Sequence, residues 1–479
     1  EHLNWNDVRV VIGQPSERSI TAASAVRGPT HPVRAPRGER NPADADAPYA
    51  GIIPSSALSR ALTYTLGNGM QVVMLPTETN PATTVMLQFP VGYGDERADQ
   101  RGVAQMTAWA LDWNRNDDAY WYNLYRAGGS VSVDVHADGT EFAVHGLDMY
   151  VDVYLQAIER MVRNGVFGSI GIERSAKRMV KAAKASRDPL DTAWADAIQR
   201  AGLGSDHPYF HGGDTLYANT GALGADSLAS FRNKYYKPSS ATLIIVGGFD
   251  PELAKRWVEH LFSDWSGTAE PRPGVTPNRI TPGGYQLLDS KAAQVDFRIE
   301  FPLGILDDRG RQDLVAALAT AALSDVREQL GASYGISASV IDRRHQRALL
   351  VTGSVDPAAA ERAARLIKSR LAEVAALDAD YKPTFVAVRK ATVDSAVSFS
   401  ASAGGLASLA SYLAGQGRAP TYYDEYAGEV RTRVFADLTN VAGQLDLATA
   451  AVFARGPQAG LDGLFRGLGV SATAIPVAQ

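Results

Sequence analysis

Cysteine is absent from all 479 residues, which excludes disulfides, thiolate nucleophiles and Cys-ligated zinc and leaves His, Asp and Glu as the possible metal ligands. Histidine is scarce too, and eight residues must carry any zinc argument. No run of about 18 uncharged apolar residues occurs, so no segment reads as a membrane span. Basic residues form no dense cluster interleaved with aromatics, and the formal net charge is −5, so the electrostatic footprint of a nucleic-acid binder is missing. What is present is a chain 45% hydrophobic and 21% charged, long enough to bury large cores and too long for one ordinary domain. It opens on Glu1, not Met, as a processed or trimmed chain does; with cysteine absent this suits a bacterial periplasmic or secreted setting, and the compartment stays open.

Composition divides the chain. Residues 28–54 are crowded with Pro, Arg, Ala and Asp and have neither helical nor strand period, which reads as a linker after a short strand at residues 8–13. Two strand patterns at 62–66 and 71–75 flank Gly67-Asn68-Gly69, a hairpin signal, and residues 84–89 add a third strand. Helical period follows at 103–112, strands at 130–135 and 141–145, helices at 150–163 and 173–187. The apolar run 241–247 ends in glycine and precedes an amphipathic helix to Phe262. After Pro- and Gly-rich sequence the pattern restarts with a strand at 295–301, a helix at 311–330, a hairpin at 334–355 and a helix at 357–376. Strands and helices in blocks favour α+β over a doubly wound sheet, here as a duplicated unit. The expected division is an N-terminal extension at 1–60, a first domain at 61–267, a linker at 268–287 and a second domain at 288–479. The strand at 8–13, repeating the strand-then-glycine pattern seen near 242–247 and 449–456, is read either as the closing strand of a preceding similar unit or as an ordinary N-terminal strand.

Several short motifs stand in one order: Leu66-Gly67-Asn68-Gly69-Met70, Gly92-Tyr93-Gly94-Asp95-Glu96, Gly102-Val103-Ala104, Gly128-Gly129, His207-Pro208-Tyr209, Tyr235-Tyr236-Lys237-Pro238, and Arg327-Glu328 with Gly331 and Tyr334. Each is weak alone. Together, from about Leu62 to the C-terminus, they resemble the pitrilysin/insulinase (inverzincin) family of zinc peptidases. The resemblance implies two homologous α/β-sandwich domains of the pitrilysin and mitochondrial-processing-peptidase type, forming a half-shell.

Active members of that family follow the Gly-x-Ala element with His-x-x-Glu-His on a helix, two imidazoles holding zinc and the Glu serving as base. Here the three positions are Gln105, Ala108 and Trp109. Gln is a poor neutral ligand, Ala offers no base and indole only a donor N–H. The family's third ligand, a Glu, should fall at about Val180 to Ala182, yet no carboxylate lies anywhere from Arg174 to Arg187. The resemblance thus implies no zinc in this chain. It implies instead a homologous partner half with His-x-x-Glu-His that carries the zinc and acts on peptides or unfolded proteins. An Arg and a Tyr complete the family's site from the half opposite the zinc, and Arg327 and Tyr334 match them: a guanidinium to orient a substrate carbonyl or C-terminus, a phenol to donate to an oxyanion. The plainer alternative is an Arg capping its helix and a Tyr packing at the start of a strand, in a purely structural, proteolytically inactive assembly or scaffold subunit.

Other motifs yield structural readings. Gly331-Ala332-Ser333-Tyr334-Gly335 fits a Gly-x-Ser-x-Gly elbow, but helix precedes and strand follows, the reverse of what that nucleophile needs. His207 and His211 have a metal-compatible spacing on a helix, yet Pro208 and two glycines argue for a loop and a satisfied structural His. Trp109 and Trp113, four apart, read as core packing before a peptide surface. Asp95, Glu96 and Asp99 read as a solvated turn.

Overall fold

A computed structural model describes residues 41–477 apart from 78–80, 114–118, 127, 186–187, 211–220, 305–307, 332 and 399–401, so the strand expected at 8–13 lies outside the described residues. The Gly67-Asn68-Gly69 signal forms its hairpin: β1 (Leu62–Thr65) pairs antiparallel with β2 (Gln71–Pro76), Thr65 opposite Gln71. Asn68 does more than turn the chain. Its Nδ2 donates to the carbonyls of Phe262 (2.7 Å) and Trp265 (2.8 Å), tying the hairpin to the end of a distant helix.

The first sheet adds β3 (Ala82–Phe89), β4 (Ser130–Val135), β5 (Thr140–Leu147) and β6 (Thr242–Gly247) in the order β1-β2-β6-β3-β5-β4. β6 is buried along its whole length, which is why Thr242 to Val246 reads as an unbroken apolar run. The second sheet contains β7 (Gly283–Leu288), β8 (Val295–Pro302), β9 (Ser333–Arg343), β10 (Gln346–Val355), β11 (Ala451–Gly456) and β12 (Ala472–Ala474), ordered β12-β7-β11-β8-β10-β9. Setting β1 and β12 aside, the two sheets agree strand for strand. β2 and β6 are parallel as β7 and β11 are, and every remaining neighbour is antiparallel. β6 and β11 both end on glycines with positive φ (Gly247, 134°; Gly456, 157°), where a Cβ would strike the backbone of the neighbouring strand. The strand-then-glycine signal is therefore a sheet-closing device used once in each unit. β7 opens inside the stretch expected as linker, because it starts on two glycines that composition alone assigns to a loop.

Helices connect the strands in matching order. Between β3 and β4 come α1 (Val103–Trp113) and α2 (Ala119–Arg126); between β5 and β6 come α3 (Val151–Val162), α4 (Ser169–Ala185), α5 (Pro189–Gly202) and α6 (Ala225–Tyr235), and α7 (Pro251–Phe262) follows β6. The second unit supplies α8 (Arg309–Leu330) between β8 and β9, then α9 (Ala360–Ala375), α10 (Lys382–Val397), α11 (Ala403–Gly415) and α12 (Tyr422–Thr432), and α13 (Gln458–Leu468) after β11. Asp or Ser starts several of them: Asp188, Asp250, Asp308 and Ser402 each accept a backbone N–H of the first turn, and a proline follows the first two.

Each unit lends a helix to the other. The face of the first sheet formed by Val73, Leu75, Met86, Ile244 and Val246 is covered by Ala403, Leu406, Ala407, Ala410 and Leu413 of α11. In return α5 lays Ala193, Trp194, Ala197 and Ala201 against Tyr285, Leu287, Ala451 and Phe453 of the second sheet. The opposite faces carry α1, α3 and α7 in the first unit and α8, α9 and α13 in the second. Residues 42–60 run as a strap over the second unit, anchored by Arg389, which is 1% exposed and donates to the carbonyls of Asp44 (2.8 Å), Ala47 (2.7 Å) and Arg433 (2.6 Å). Among the described residues no helix is long and apolar enough to cross a membrane.

Candidate functional site

α1 is the helix on which the family's metal site would lie. Its start is fixed by Glu96, whose carboxylate accepts the N–H of Gly102 and of Ala104, both at 2.8 Å, placing negative charge at a helix N-terminus. Burial pushes the Glu96 carboxyl up to about 7 against the opposing pull of those two N–H groups. Asp95 points the other way and is buried: Arg272 grips it with two nitrogens (3.1 and 3.0 Å), Arg344 adds a third contact at 2.8 Å, and the Gly92 N–H donates to it. The solvated-turn reading thus holds only for Asp99, which pairs with Arg97 at the surface. Asp95 and Glu96 are a buried tie and a helix cap, and their partners lie too far away in sequence to be read from it.

Along α1, Val103, Ala104, Met106, Ala108 and Leu111 are buried in the first core, while Gln105 and Trp109 share one half-buried face. Over the Trp109 indole lies the guanidinium of Arg178, 3.9 Å from the ring centroid, and the same group is 3.9 Å from Asp112. Arg178 comes from α4, the helix on which the third ligand was sought. That helix thus sends a cation to α1 from Arg178 and offers no carboxylate at Val180 to Ala182, and Gln, Ala and an arginine-covered indole do not fit zinc. Among the described residues no group of three or more His, Asp or Glu can hold a metal ion. The Trp113 side chain lies outside the described residues.

Arg327 sits in the last turn of α8, exposed, with no hydrogen-bonding or ionic partner among the described residues. The helix is closed by Gly331 in the left-handed conformation (φ 60°), whose N–H donates to the Arg327 carbonyl at 2.9 Å, so the Arg327 side chain is not the cap. Tyr334 follows on β9, the edge strand of the second sheet; its side chain lies outside the described residues. The structure puts these two at one helix-to-strand corner of the second unit and Gln105, Ala108 and Trp109 on a helix of the first. Ser333 is preceded by helix and lies on a strand, which removes the nucleophile-elbow reading.

His207 is 3% exposed in a loop, as a structural histidine. Its Nδ1 accepts the Tyr209 N–H (3.1 Å) and its Nε2 faces the carbonyls of Thr276 (3.1 Å) and His345 (3.0 Å), which fixes the proton on Nε2. His211 lies outside the described residues. His207 opens onto a junction between the units that sequence reasoning missed. The Tyr209 hydroxyl donates to Asp138 (2.5 Å) and accepts from the His345 N–H, and Asp138 in turn accepts the Arg344 N–H. Burial holds both histidines below the usual imidazole range and lifts the Tyr209 phenol well above its own. The available signal was the run Asp342-Arg343-Arg344-His345-Gln346-Arg347, an unusually basic hairpin turn.

Residues 222–381, which contain Arg327 and Tyr334, match the family model described as the Peptidase M16 inactive domain. No curated protein matches the chain. The first half of the periplasmic protease PqqL from Escherichia coli has the same fold at TM-score 0.69 and 14% identity, over 88% of this chain and 99% of that one. A peptidase M16 inactive domain from Pseudomonas fluorescens is similar at TM-score 0.67 and 15% identity (83% and 98% covered), and pitrilysin at 0.68 and 16%, over 90% of this chain but 51% of its own length. Two matched sheets thus give the chain the fold of these M16 peptidase halves, residues 222–381 match the M16 inactive-domain model, and the sequence contains no His-x-x-Glu-His.

Proposed function

We propose that this chain is the non-catalytic half of a two-part zinc metalloendopeptidase. It would close a chamber around peptides or unfolded proteins and lend Arg327 and Tyr334 to the site of a homologous partner that carries His-x-x-Glu-His and the zinc. The observation that carries the reading is Arg327: exposed, without a partner among the described residues and relieved of capping duty by Gly331, in a chain whose own metal positions are filled by Gln105, Ala108 and Trp109. Arg327 would orient a substrate carbonyl or C-terminus, and the Tyr334 phenol would donate to the oxyanion that develops during hydrolysis. The cation lying over Trp109 favours a second reading, a purely structural subunit in which α1 serves packing alone.

Purification with and without a candidate His-x-x-Glu-His partner, followed by zinc analysis and peptide cleavage, separates the two. Cleavage is expected only from the pair, with zinc in the partner. In the pair, Tyr334→Phe should lower turnover by roughly ten- to a thousand-fold while assembly is kept. Unchanged turnover supports the structural reading; cleavage by this chain alone with stoichiometric zinc overturns both.

A further inference from the structure

The turn of the β9–β10 hairpin opens a cavity of about 510 Å³ whose charge is lopsided. Arg272, Arg343, Arg344, Arg347 and Arg418 face only Asp138 and Asp342; adding Asp95, which lies behind Arg272 and Arg344, leaves five guanidinium groups against three carboxylates. The acids already have cationic neighbours. Asp95 is held by Arg272 and Arg344, and Asp342 forms ion pairs with Arg347 (2.7 Å) and Arg309 (2.8 Å). Arg418 stands 3.7 Å from Asp342, beyond hydrogen-bond reach, with its guanidinium stacked 4.3 Å over the Tyr422 ring. Arg343 is exposed and has no carboxylate partner among the described residues. A chain of net charge −5 thus keeps on the wall of one cavity an arginine with no carboxylate partner among the described residues, Arg343, and a second, Arg418, that stacks on Tyr422 and makes no hydrogen bond to its carboxylate neighbour Asp342.

Asp342 and Arg418 also line a second cavity of about 430 Å³, walled by Tyr412, Tyr422, Tyr423 and Tyr426. Two of its polar groups are tied to each other: the Tyr426 hydroxyl donates to Asp313, which also receives Arg309. What remains there is mainly aromatic surface. An inorganic anion would answer the arginines and leave the tyrosines unused, whereas an acidic residue beside an aromatic one answers both, and Arg and Tyr are among the residues enriched at the hot spots of protein interfaces. We propose that the two cavities form one site for an acidic peptide segment, a side-chain carboxylate meeting Arg343 and Arg418 and the adjoining aromatic side chain entering the tyrosine recess. This goes beyond the paired-peptidase reading and needs neither partner nor zinc.

The test is fluorescence anisotropy with the full chain alone and fluorescein-labelled, end-blocked peptides: Gly-Glu-Glu-Tyr-Gly, its Gln-Gln counterpart and its Gly-for-Tyr counterpart. The acidic aromatic peptide is expected to bind at least about tenfold tighter than the Gln-Gln peptide, and to weaken as salt rises. Arg343→Ala and Arg418→Ala should each cost about five- to thirtyfold in affinity. Arg343→Ala removes an exposed side chain with no carboxylate partner among the described residues and should leave the melting temperature unchanged, so its loss of binding cannot be attributed to unfolding. Equal binding of the acidic and Gln-Gln peptides overturns the proposal, as does wild-type affinity in both variants. Displacement by millimolar phosphate without any preference for the aromatic peptide also overturns it, leaving a simple anion site. Because no partner or zinc is present, a failure here leaves the peptidase pairing standing, and failure of the pairing leaves this result standing.

Discussion

The helix after β3 in the first unit and the helix after β8 in the second occupy the same place, and the two examples differ in what they keep. α1 of the first unit ends after 11 residues, buries Ala108 and covers Trp109 with a cation from α4. α8 of the second unit runs for 22 residues, ends at a left-handed glycine and leaves Arg327 in solvent. Both units retain what packing needs, an apolar helix face on a mixed sheet; they diverge in helix length and in the residues carried on the rest of the helix. A second contrast concerns the exchanged helices. α11 brings five buried side chains to the first sheet, including Leu406 and Leu413, while most of the α5 contacts are half-buried. The first sheet depends more on its lent helix than the second does.

The heaviest blow to this arrangement falls on the tie between the units. Asp95→Asn takes the buried carboxylate away from two partly exposed guanidinium groups and should cost about 3 kcal/mol in urea unfolding; a cost below about 1 kcal/mol would make the junction a passive contact. Next comes the helix exchange. Leu413→Ala should destabilise by about 2–4 kcal/mol and Leu190→Ala, half-buried on α5, by about 1 kcal/mol. Equal costs would erase the asymmetry between the sheets.

Acidity should loosen the junction to a lesser degree. His207 and His345, one from each unit, have folded pKa values below the unfolded value of about 6.5, so their contribution is complete above that pH and is lost as pH falls beneath it. Glu96 acts in the opposite sense. Its carboxyl, pushed up to about 7, takes a proton more readily in the folded chain, so its contribution is present below about pH 4.5 and is lost as pH rises through 7. In Glu96→Gln the histidine trend should therefore stand alone, as chemical denaturation between pH 5 and 8 (roughly the window those pKa values define) would show. The smallest effect belongs to the emptied site: Arg178 is 57% exposed, and Arg178→Ala should cost less than about 1 kcal/mol. A larger loss would mean that the cation over Trp109 is structurally required.

Much of the fold was legible because its signals are local. The Asn68 hairpin, the apolar run of β6 and its closing Gly247, and the long helix before Gly331 all lie within a few residues of what specifies them. α11 was missed: its apolar residues do recur at helical spacing, but Ala403-Gly404-Gly405 opens it and alanine fills it, so little marks it as a helix that covers a sheet. At the candidate site the losses at Gln105, Ala108 and Trp109 were visible as residue types. Arg178 over Trp109 was not, since two helices must pack before their side chains meet. Asp95 misled for the same reason, its partners standing 177 and 249 residues downstream.

The exchange of helices bears on how such a chain can be cut or shuffled. A fragment ending at Trp265 would leave Val73, Leu75, Met86, Ile244 and Val246 facing water, and the remainder would lack its cover over Phe453. Neither piece makes a separate building block. A nick in the connecting stretch would yield two adhesive fragments that reassemble, and recombination can move this architecture only as the whole pair of sheets.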